Sequence, residues 1–200
     1  MPRDQPDQTN THEDPFLGRL EDTLRPAEGW GTFRRGARHA AVNTILFHRG
    51  EEWNLPFVLR SPELRSHPGQ VGLPGGRVEP GESAVEAALR ETEEEIGVPS
   101  ARVRVLGATG SLYAAVTNYN VAVFVSHLAD PPSHFTWPAG ELVGIIEVPL
   151  SLLLDRGAWS QTGPYFGPQL QTPDGAVIWG LTAAILRGDV LPRLRTALGS

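Results

Sequence analysis

Three glutamates, Glu91, Glu94 and Glu95, lie near the end of one predicted helix. A Pro-Gly pair precedes the segment 82–96 and Gly97 follows it, which is the usual pattern of helix ends. At these spacings the carboxylates are neighbours on the helix surface, and each like-charge pair costs roughly 0.3 kcal/mol. The negative end of the helix dipole disfavours them as well. A divalent cation would reverse both effects, so the cluster is a candidate metal site.

The ligand chemistry of this cluster favours Mg²⁺ or Mn²⁺. Its donors are carboxylate oxygens, the chain has no cysteine, and no histidine lies beside them in sequence, whereas zinc prefers nitrogen and sulfur. Arg90 precedes Glu91 directly and can orient a carboxylate by a charge-assisted hydrogen bond. An exposed acidic face is the ordinary alternative for such a helix. The glycine-rich segment 73–76 weighs against that alternative, because glycines let the backbone approach a ligand closely.

The same helix has a predicted buried face. At about 100° per residue, five side chains fall within one arc, which we expect to face the core. They are Val85, Ala88, Leu89, Thr92 and Ile96. The three glutamates occupy an adjoining arc.

The spacing of the glycines, glutamates and arginine in the segment 76–98 is typical of one family. Gly76, five residues, Glu82, seven residues and then Arg90-Glu91-Thr92-Glu93-Glu94-Glu95-Ile96-Gly97-Val98 resembles the Nudix box, the signature of the Nudix hydrolases. Thr92 is a departure, because the family usually has an aliphatic residue there. Since Thr92 falls on the predicted buried face, we expect the departure to affect packing and to leave the chemistry intact.

The resemblance implies an α/β/α sandwich with a mixed β-sheet, and hydrolysis of a nucleoside diphosphate linked to another group. It implies that Glu91, Glu94 and Glu95 are the metal ligands, that Arg90 orients Glu91 and that Glu82 has a supporting role. The expected chemistry is in-line attack of metal-activated water on phosphorus.

The loop before the helix narrows the expected substrate. Arg60-Ser61, Arg65, Gly69 and Leu73-Pro74-Gly75-Gly76 resemble the additional signature of the coenzyme A pyrophosphatase subfamily, with Leu73 where phenylalanine is frequent. The resemblance implies cleavage of coenzyme A to adenosine 3′,5′-bisphosphate and 4′-phosphopantetheine. We expect Arg60, Arg65 and His67 to contact phosphates. Backbone groups around Gly69, Gly75 and Gly76 are expected to approach the diphosphate.

A further candidate lies outside the box. Residues 141–150 resemble a loop and strand of the same subfamily, in which Glu141 matches an acidic position. The water-activating base therefore stays open among Glu91, Glu94, Glu95 and Glu141.

Two alternative functions remain at this stage. The first is a Nudix hydrolase of ADP-ribose, dinucleotides or nucleoside triphosphates. The second is a non-catalytic Nudix-fold binding module, whose usual mark is an incomplete glutamate set. The presence of Glu91, Glu94 and Glu95 argues against it.

The remaining pattern predicts a mixed α/β domain over residues 16–200 after a disordered tail, 1–15. Helices are predicted at 16–24, 82–96, 150–155, 181–186 and 191–198. Strands are predicted at 39–48, 55–59, 103–106, 112–116, 120–125, 144–148 and 176–178, and a loop is predicted at 61–76.

Bulk composition excludes several classes. The net charge of −6 argues against a nucleic-acid-binding surface. The absence of cysteine excludes thiol catalysis. No apolar run reaches the roughly 20 residues of a membrane span, and no signal peptide is evident, so we expect a cytoplasmic protein. A homodimer stays open, with Phe33 and the arginines at 34, 35 and 38 as a candidate surface or phosphate approach.

Overall fold

The computed structural model describes residues 14–29, 34–64, 67–165 and 167–199. Its strands are β1 (Arg38–Arg49), β2 (Glu52–Arg60), β3 (Val71–Gly72), β4 (Gly75–Arg77), β5 (Arg104–Ala114), β6 (Tyr119–Leu128), β7 (Leu142–Pro149), β8 (Trp159–Ser160), β9 (Gln169–Gln171) and β10 (Val177–Ile178). Its α-helices are α1 (Pro15–Glu21), α2 (Ala84–Ile96), α3 (Leu150–Leu154), α4 (Gly180–Ile185) and α5 (Leu191–Leu198). A π-helical turn, Leu186–Val190, joins α4 to α5.

One mixed sheet organises the described residues. Neighbouring strands follow the order β3-β2-β1-β6-β5, with β4 paired to β1 and β7 paired to β2, which makes seven strands. β1 and β6 are parallel, and the other pairs are antiparallel. A small second sheet follows the order β10-β9-β8. The mixed sheet confirms the predicted α/β class.

Helices cover both faces of the sheet, because successive strand residues point to opposite sides. On β6, Val121, Val123 and Val125 join the core formed with α1, α3, α4 and α5, whereas Ala122 and Phe124 pack on the side of α2. Burial on both faces explains why the sequence of β6 is apolar without alternation. The layers form the α/β/α sandwich that the resemblance implied.

Local interactions define both ends of α2. The Ser83 hydroxyl accepts a hydrogen bond from the Glu86 amide, and the Glu86 carboxylate accepts one from the Ser83 amide, which is a capping box. At the other end, Gly97 adopts a φ of 69°, a left-handed conformation that favours glycine. A Cβ at this position would also overlap the side chain of Thr136. The glutamates therefore sit on a helix with a fixed beginning and a fixed end.

The buried face of α2 differs from the predicted face. Ala88, Thr92 and Ile96 are buried as predicted, and Val85 and Leu89 pack half-buried against the core. Ala84 and Ala87 are buried as well, which shifts the buried face around the helix. The alanines pack with small residues of the sheet, among them Ala41, and small side chains on both sides allow the helix to approach closely. The rotation turns Glu91 and Glu95 towards the sheet and leaves Glu94 exposed.

Thr92 is part of a buried polar network. Its hydroxyl donates to the Ala88 carbonyl at 2.7 Å and accepts from the Asn43 amide group at 3.2 Å. The Asn43 side-chain oxygen accepts a hydrogen bond from the Ser126 hydroxyl at 2.7 Å. Thr92, Asn43 and Ser126 are all fully buried. The polar residue at an otherwise aliphatic position of the box is therefore matched by polar partners on β1 and β6.

Other differences from the predicted elements lie where local signals are weak. The segment 61–76, predicted as loop, contains β3 and the start of β4, which pair with β2 and β1. The predicted strands 103–106 and 112–116 belong to one strand, β5, whose register shifts near Gly107 and Gly110. The short strands β8 and β9 were not predicted, because elements of two or three residues carry no periodicity.

The N-terminal boundary of the folded domain also differs from the predicted one. Residues 1–13, most of the predicted tail, and Phe33 lie outside the described residues. Asp14 caps α1 and Pro15 begins it, so these two residues belong to the helix. In the described part of the chain, every helix is too short or too polar to cross a membrane.

The polar network yields a stability prediction. Thr92→Val should lower the free energy of unfolding by about 1–3 kcal/mol, because the buried Asn43 amide group loses its acceptor. Urea unfolding measures the change. The matched control is Thr196→Val, since Thr196 makes the same hydrogen bond to a carbonyl four residues earlier but is exposed. Equal losses in the two variants would contradict the assigned role of Asn43.

Candidate active site

Strand β4 brings glycine backbone against two carboxylates of α2. The Gly75 amide donates to Glu95 Oε2 at 2.9 Å. A Cβ at Gly76 would overlap the carboxylate of Glu91, and a Cβ at Gly75 would overlap the backbone of β1. Glycine is therefore required at both positions by close approach, at Gly75 to the neighbouring strand and at Gly76 to a carboxylate.

Arg90 holds three carboxylates around one guanidinium group. It donates to Glu82 at 2.9 and 3.2 Å, to Glu91 at 3.0 Å and to Glu94 at 3.2 Å. It also donates to the Arg77 carbonyl at 3.0 Å, which ties the helix to the end of β4. The hydrogen bonds from Arg90 lower the pKa of Glu82. Glu82 therefore stays ionised and steadies Arg90.

Glu91 and Glu95 carry raised pKa values. Burial raises the pKa of Glu91, although Arg90 opposes the shift. Burial raises the pKa of Glu95 to about 7, the Gly75 amide opposes this shift, and the charge of Glu91 adds to it. The fold thus removes both groups from water and supplies too little positive charge to compensate.

The donor set fits a hard divalent cation. Within the described ranges, no three acidic, histidine or cysteine side chains already converge on one ion position, and Arg90 occupies carboxylate oxygens of Glu91 and Glu94. The donors are nevertheless oxygen only, and burial leaves Glu91 and Glu95 uncompensated. The absence of a Cβ at Gly76 keeps the space at Glu91 free of side chain. These features match what a divalent cation needs.

A cleft of about 540 Å³ lies beside this cluster, on the sheet face opposite most of α2. Among the predicted site residues, the cleft is bordered by Arg60, His67, Gly75, Gly76 and Glu95. Its floor is apolar and includes Val42 and Val121, and α4 contributes Leu181 and Ile185. Arg90 and Glu94 lie instead along a neighbouring acidic hollow with Glu82. Glu95 is thus the carboxylate of the cluster that borders the cleft.

Arg60 joins the cleft to the 141–150 segment. Its guanidinium lies 3.5 Å from the Glu141 carboxylate, and its Nε is buried without a hydrogen-bond partner in the described structure. The Ser61 amide donates to the Glu141 carbonyl at 2.8 Å. Glu141 itself is largely exposed. The structure therefore brings Arg60 and Glu141 together at one edge of the cleft.

The other loop residues have different positions. His67 has a φ of 56° and its ring lies 2.9 Å from the Gln70 side chain. Gly69 has a φ of 65° and supports the turn without lining the cleft. Arg65 lies outside the described residues.

The structure adds residues that the sequence did not single out as binding groups. Arg77, directly after Gly76, borders the cleft together with Leu181 and Ile185. Tyr119 borders it as well, and so does Arg38, which belongs to the candidate dimer surface or phosphate approach. Because side chains alternate along β1, Arg38 lies on the same face of the sheet as Val42. The sequence alone does not show that this face is the floor of the cleft.

The burial of Glu95 leads to a stability prediction. Because its pKa in the native state is raised, the native state binds more protons than the unfolded state between about pH 4.5 and 7. Metal-free stability should therefore fall as the pH rises through this window. Glu95→Gln removes the loss, so we expect it to stabilise the metal-free protein by at most about 3 kcal/mol at about pH 8 and much less at about pH 5.

Urea unfolding in the presence of a chelator measures this difference at the two pH values. Glu93→Gln is the matched control on the same helix, since Glu93 is exposed. A Glu95→Gln protein that is no more stable than the wild type at the higher pH would contradict the uncompensated burial.

Comparisons with known proteins agree with this geometry. The family model described as the NUDIX domain matches residues 37–166. A protein named "uncharacterized Nudix hydrolase NudL" from Yersinia enterocolitica is 37% identical over 163 residues, covering 78% of this chain and 82% of the relative. NudL of Escherichia coli K12 is 33% identical over 180 residues, covering 87% and 91%.

Solved structures share the fold. The Nudix hydrolase RenU of M. smegmatis aligns with a TM-score of 0.55 at 19% identity and covers 82% of this chain and 86% of its own. The NUDIX domain of Shewanella oneidensis NrtR, crystallised with ADP ribose, aligns with a TM-score of 0.53 at 15% identity, covering 82% and 90%. At such identities these structures support the fold alone.

The match extends over the parts that build the site. The matched residues 37–166 include β1, β4 and α2, and therefore both the glycines and the glutamates of the cluster. Relatives more than 30% identical cover most of the chain. This chain belongs to the Nudix hydrolase family.

Proposed function

We propose that this chain is a Mg²⁺- or Mn²⁺-dependent pyrophosphohydrolase that cleaves coenzyme A, in free or acylated form. The observation that carries the proposal is Arg60. Its Nε is buried and has no hydrogen-bond partner in the described ranges, and Arg60 borders the same cleft as Glu95. Arg60 begins the segment that resembles the coenzyme A pyrophosphatase signature. We infer that this buried donor contacts the diphosphate of the substrate.

The cation belongs at the glutamate cluster. Nudix hydrolases generally use divalent metal ions, typically Mg²⁺ or Mn²⁺. In this chain Glu91, Glu94 and Glu95 would hold the ion. When bound, it supplies polarisation of the phosphoryl oxygens and lowers the pKa of water. Arg90 keeps Glu91 and Glu94 oriented towards one another through its two hydrogen bonds.

The loop side of the cleft binds the diphosphate. Arg60 offers its free Nε–H together with the guanidinium group that now faces Glu141. A forked guanidinium suits phosphate oxygens. His67 borders the same space, and the glycine backbone at Gly75 and Gly76 lets the diphosphate approach closely. Arg65 belongs to this set by its place in the signature.

Hydrolysis then follows as an in-line displacement. The oxygen of water forms a bond to one phosphorus of the diphosphate, and the bond from that phosphorus to the bridging oxygen breaks. One phosphate leaves with the bridging oxygen, and a carboxylate accepts the proton of water. Glu141 is the candidate base outside α2. Its charge also acts on Glu95, so the two carboxylates share one electrostatic environment.

Assembly and location remain predictions. A cytoplasmic protein with no nucleic-acid or membrane partner is expected from the sequence, and a homodimer stays open. Light scattering of the purified chain measures the oligomeric state directly.

Product analysis tests the substrate proposal. With Mg²⁺ or Mn²⁺ present, coenzyme A should yield equal amounts of adenosine 3′,5′-bisphosphate and 4′-phosphopantetheine, with a higher kcat/KM than for ADP-ribose. Acetyl-coenzyme A, assayed in parallel, shows whether the acyl group is tolerated. If ADP-ribose is cut much faster, the substrate proposal is wrong and the broader Nudix alternative stands.

Variants in the same assay assign the effect to the site. Arg60→Ala should lower kcat/KM for coenzyme A by about tenfold or more, because a charge-assisted hydrogen bond is lost. Arg102→Ala is the control, since Arg102 pairs with Asp130 and does not line the cleft. Undiminished hydrolysis by Glu94→Gln would contradict the metal-site assignment.

A further inference from the structure

The end of the cleft away from Glu95 contains two arginines without a carboxylate partner. Within the described residues, Arg77 makes no side-chain hydrogen bond or ion pair, and the Arg38 guanidinium donates only to the Thr117 carbonyl, at 2.8 Å. Arg49, Arg60 and Arg90, by contrast, each face a carboxylate. Arg38 and Arg77 are exposed, and both border the cleft.

Strand register places these arginines on the cleft floor. Arg38 lies beside Tyr119 of β6, and Ala40 lies opposite Arg77 of β4. Two residues further along β1, Val42 lies opposite Gly75, whose amide contacts Glu95. Arg38 is therefore four residues from the metal end of the cleft, which corresponds to about 13 Å along the strand. Arg77, opposite Ala40, lies two residues from Arg38 in register.

Tyr119 reinforces this end of the cleft. The Arg38 guanidinium carbon lies 4.3 Å from the centre of the Tyr119 ring, which fixes the cation in a stacked position. The Tyr119 hydroxyl is buried and has no hydrogen-bond partner among the residues that the structure describes. Buried polar groups almost always have a partner. A ligand oxygen at this end would meet one unsatisfied donor and two cations.

The chemistry of this end distinguishes among ligands. The floor between the two ends is apolar, with Ala40, Val121 and Ile185, and it suits an uncharged part of a substrate. A neutral group beyond that floor would leave both guanidinium groups uncompensated. A dianionic group would pair with them.

We propose that Arg38 and Arg77 bind a phosphomonoester that the substrate carries in addition to its diphosphate. This inference rests on the proposed function, in which that group is the 3′-phosphate of coenzyme A. The two arginines then determine specificity: they favour coenzyme A over dephospho-coenzyme A, which has the same diphosphate and pantetheine but lacks the 3′-phosphate.

Steady-state kinetics with the two substrates tests the proposal. The wild type should have a kcat/KM about tenfold or more higher for coenzyme A than for dephospho-coenzyme A. The Arg38→Ala/Arg77→Ala protein should lose most of this preference, so that the ratio falls towards one. The control is Arg102→Ala/Arg156→Ala, which removes the same charge from exposed positions outside the cleft. An unchanged preference in the cleft variant, or an equal loss in the control, would overturn the proposal.

A binding measurement separates this inference from the proposed reaction. Calorimetry in the absence of metal compares adenosine 3′,5′-bisphosphate with AMP. The wild type should bind the bisphosphate more tightly, Arg38→Ala/Arg77→Ala should bind both alike, and Tyr119→Phe should retain part of the difference. If coenzyme A is not hydrolysed but this binding difference holds, the proposed function fails and the phosphomonoester site stands. If coenzyme A is hydrolysed and the wild type does not distinguish the two nucleotides, only the site is overturned.

Discussion

The rest of the site depends on the burial of two carboxylates against a glycine strand. Glu91 and Glu95 lie on α2 beside β4. Because Gly75 and Gly76 have no side chains, the two carboxylates can approach the backbone of β4 closely. Burial disfavours the charged form of both groups. Such groups need a compensating charge, and in the proposed function a divalent cation supplies it.

Several devices hold this unfavourable arrangement in place. The Ser83–Glu86 capping box and Gly97 fix the ends of the helix. Arg90 joins Glu82, Glu91 and Glu94 to the backbone of β4. On the opposite side of the helix, the buried Thr92–Asn43–Ser126 network ties α2 to β1 and β6. The positions of the carboxylates thus depend on interactions with partly independent causes, and the metal need not create the site.

Much of the fold could be predicted because its signals are local. The helix at 82–96 has capping residues and apolar residues at a helical period, and β1 and β6 are long apolar runs. The rotation of α2 could not be predicted, because it depends on alanines packing against Ala41 and Ala122 of the sheet. The spacing of the glutamates pointed to the candidate metal cluster, whereas Arg77 became a candidate only through its register with β1. A single sequence does not show which residues become neighbours across paired strands.

The charged side chains that border the cleft are mostly positive, opposite in sign to the net charge of the chain. The chain is acidic overall, yet Arg38, Arg60 and Arg77 border one cleft in which Glu95 is the carboxylate. Such a distribution attracts an anion to one face and repels it elsewhere. In the proposed function, the cation at the glutamates and the arginines would contact the same ligand from two sides.

The most direct test of this account is the number of protons released when Mg²⁺ binds. Calorimetry at about pH 7, in buffers with different ionisation enthalpies, measures that number. Since the pKa of Glu95 is about 7, we expect release of about half a proton per ion, more at about pH 6, and almost none at about pH 9 or in Glu95→Gln. Binding of Mg²⁺ with no proton release at pH 6 or 7 would contradict the claim that the site holds a buried carboxylate awaiting a cation.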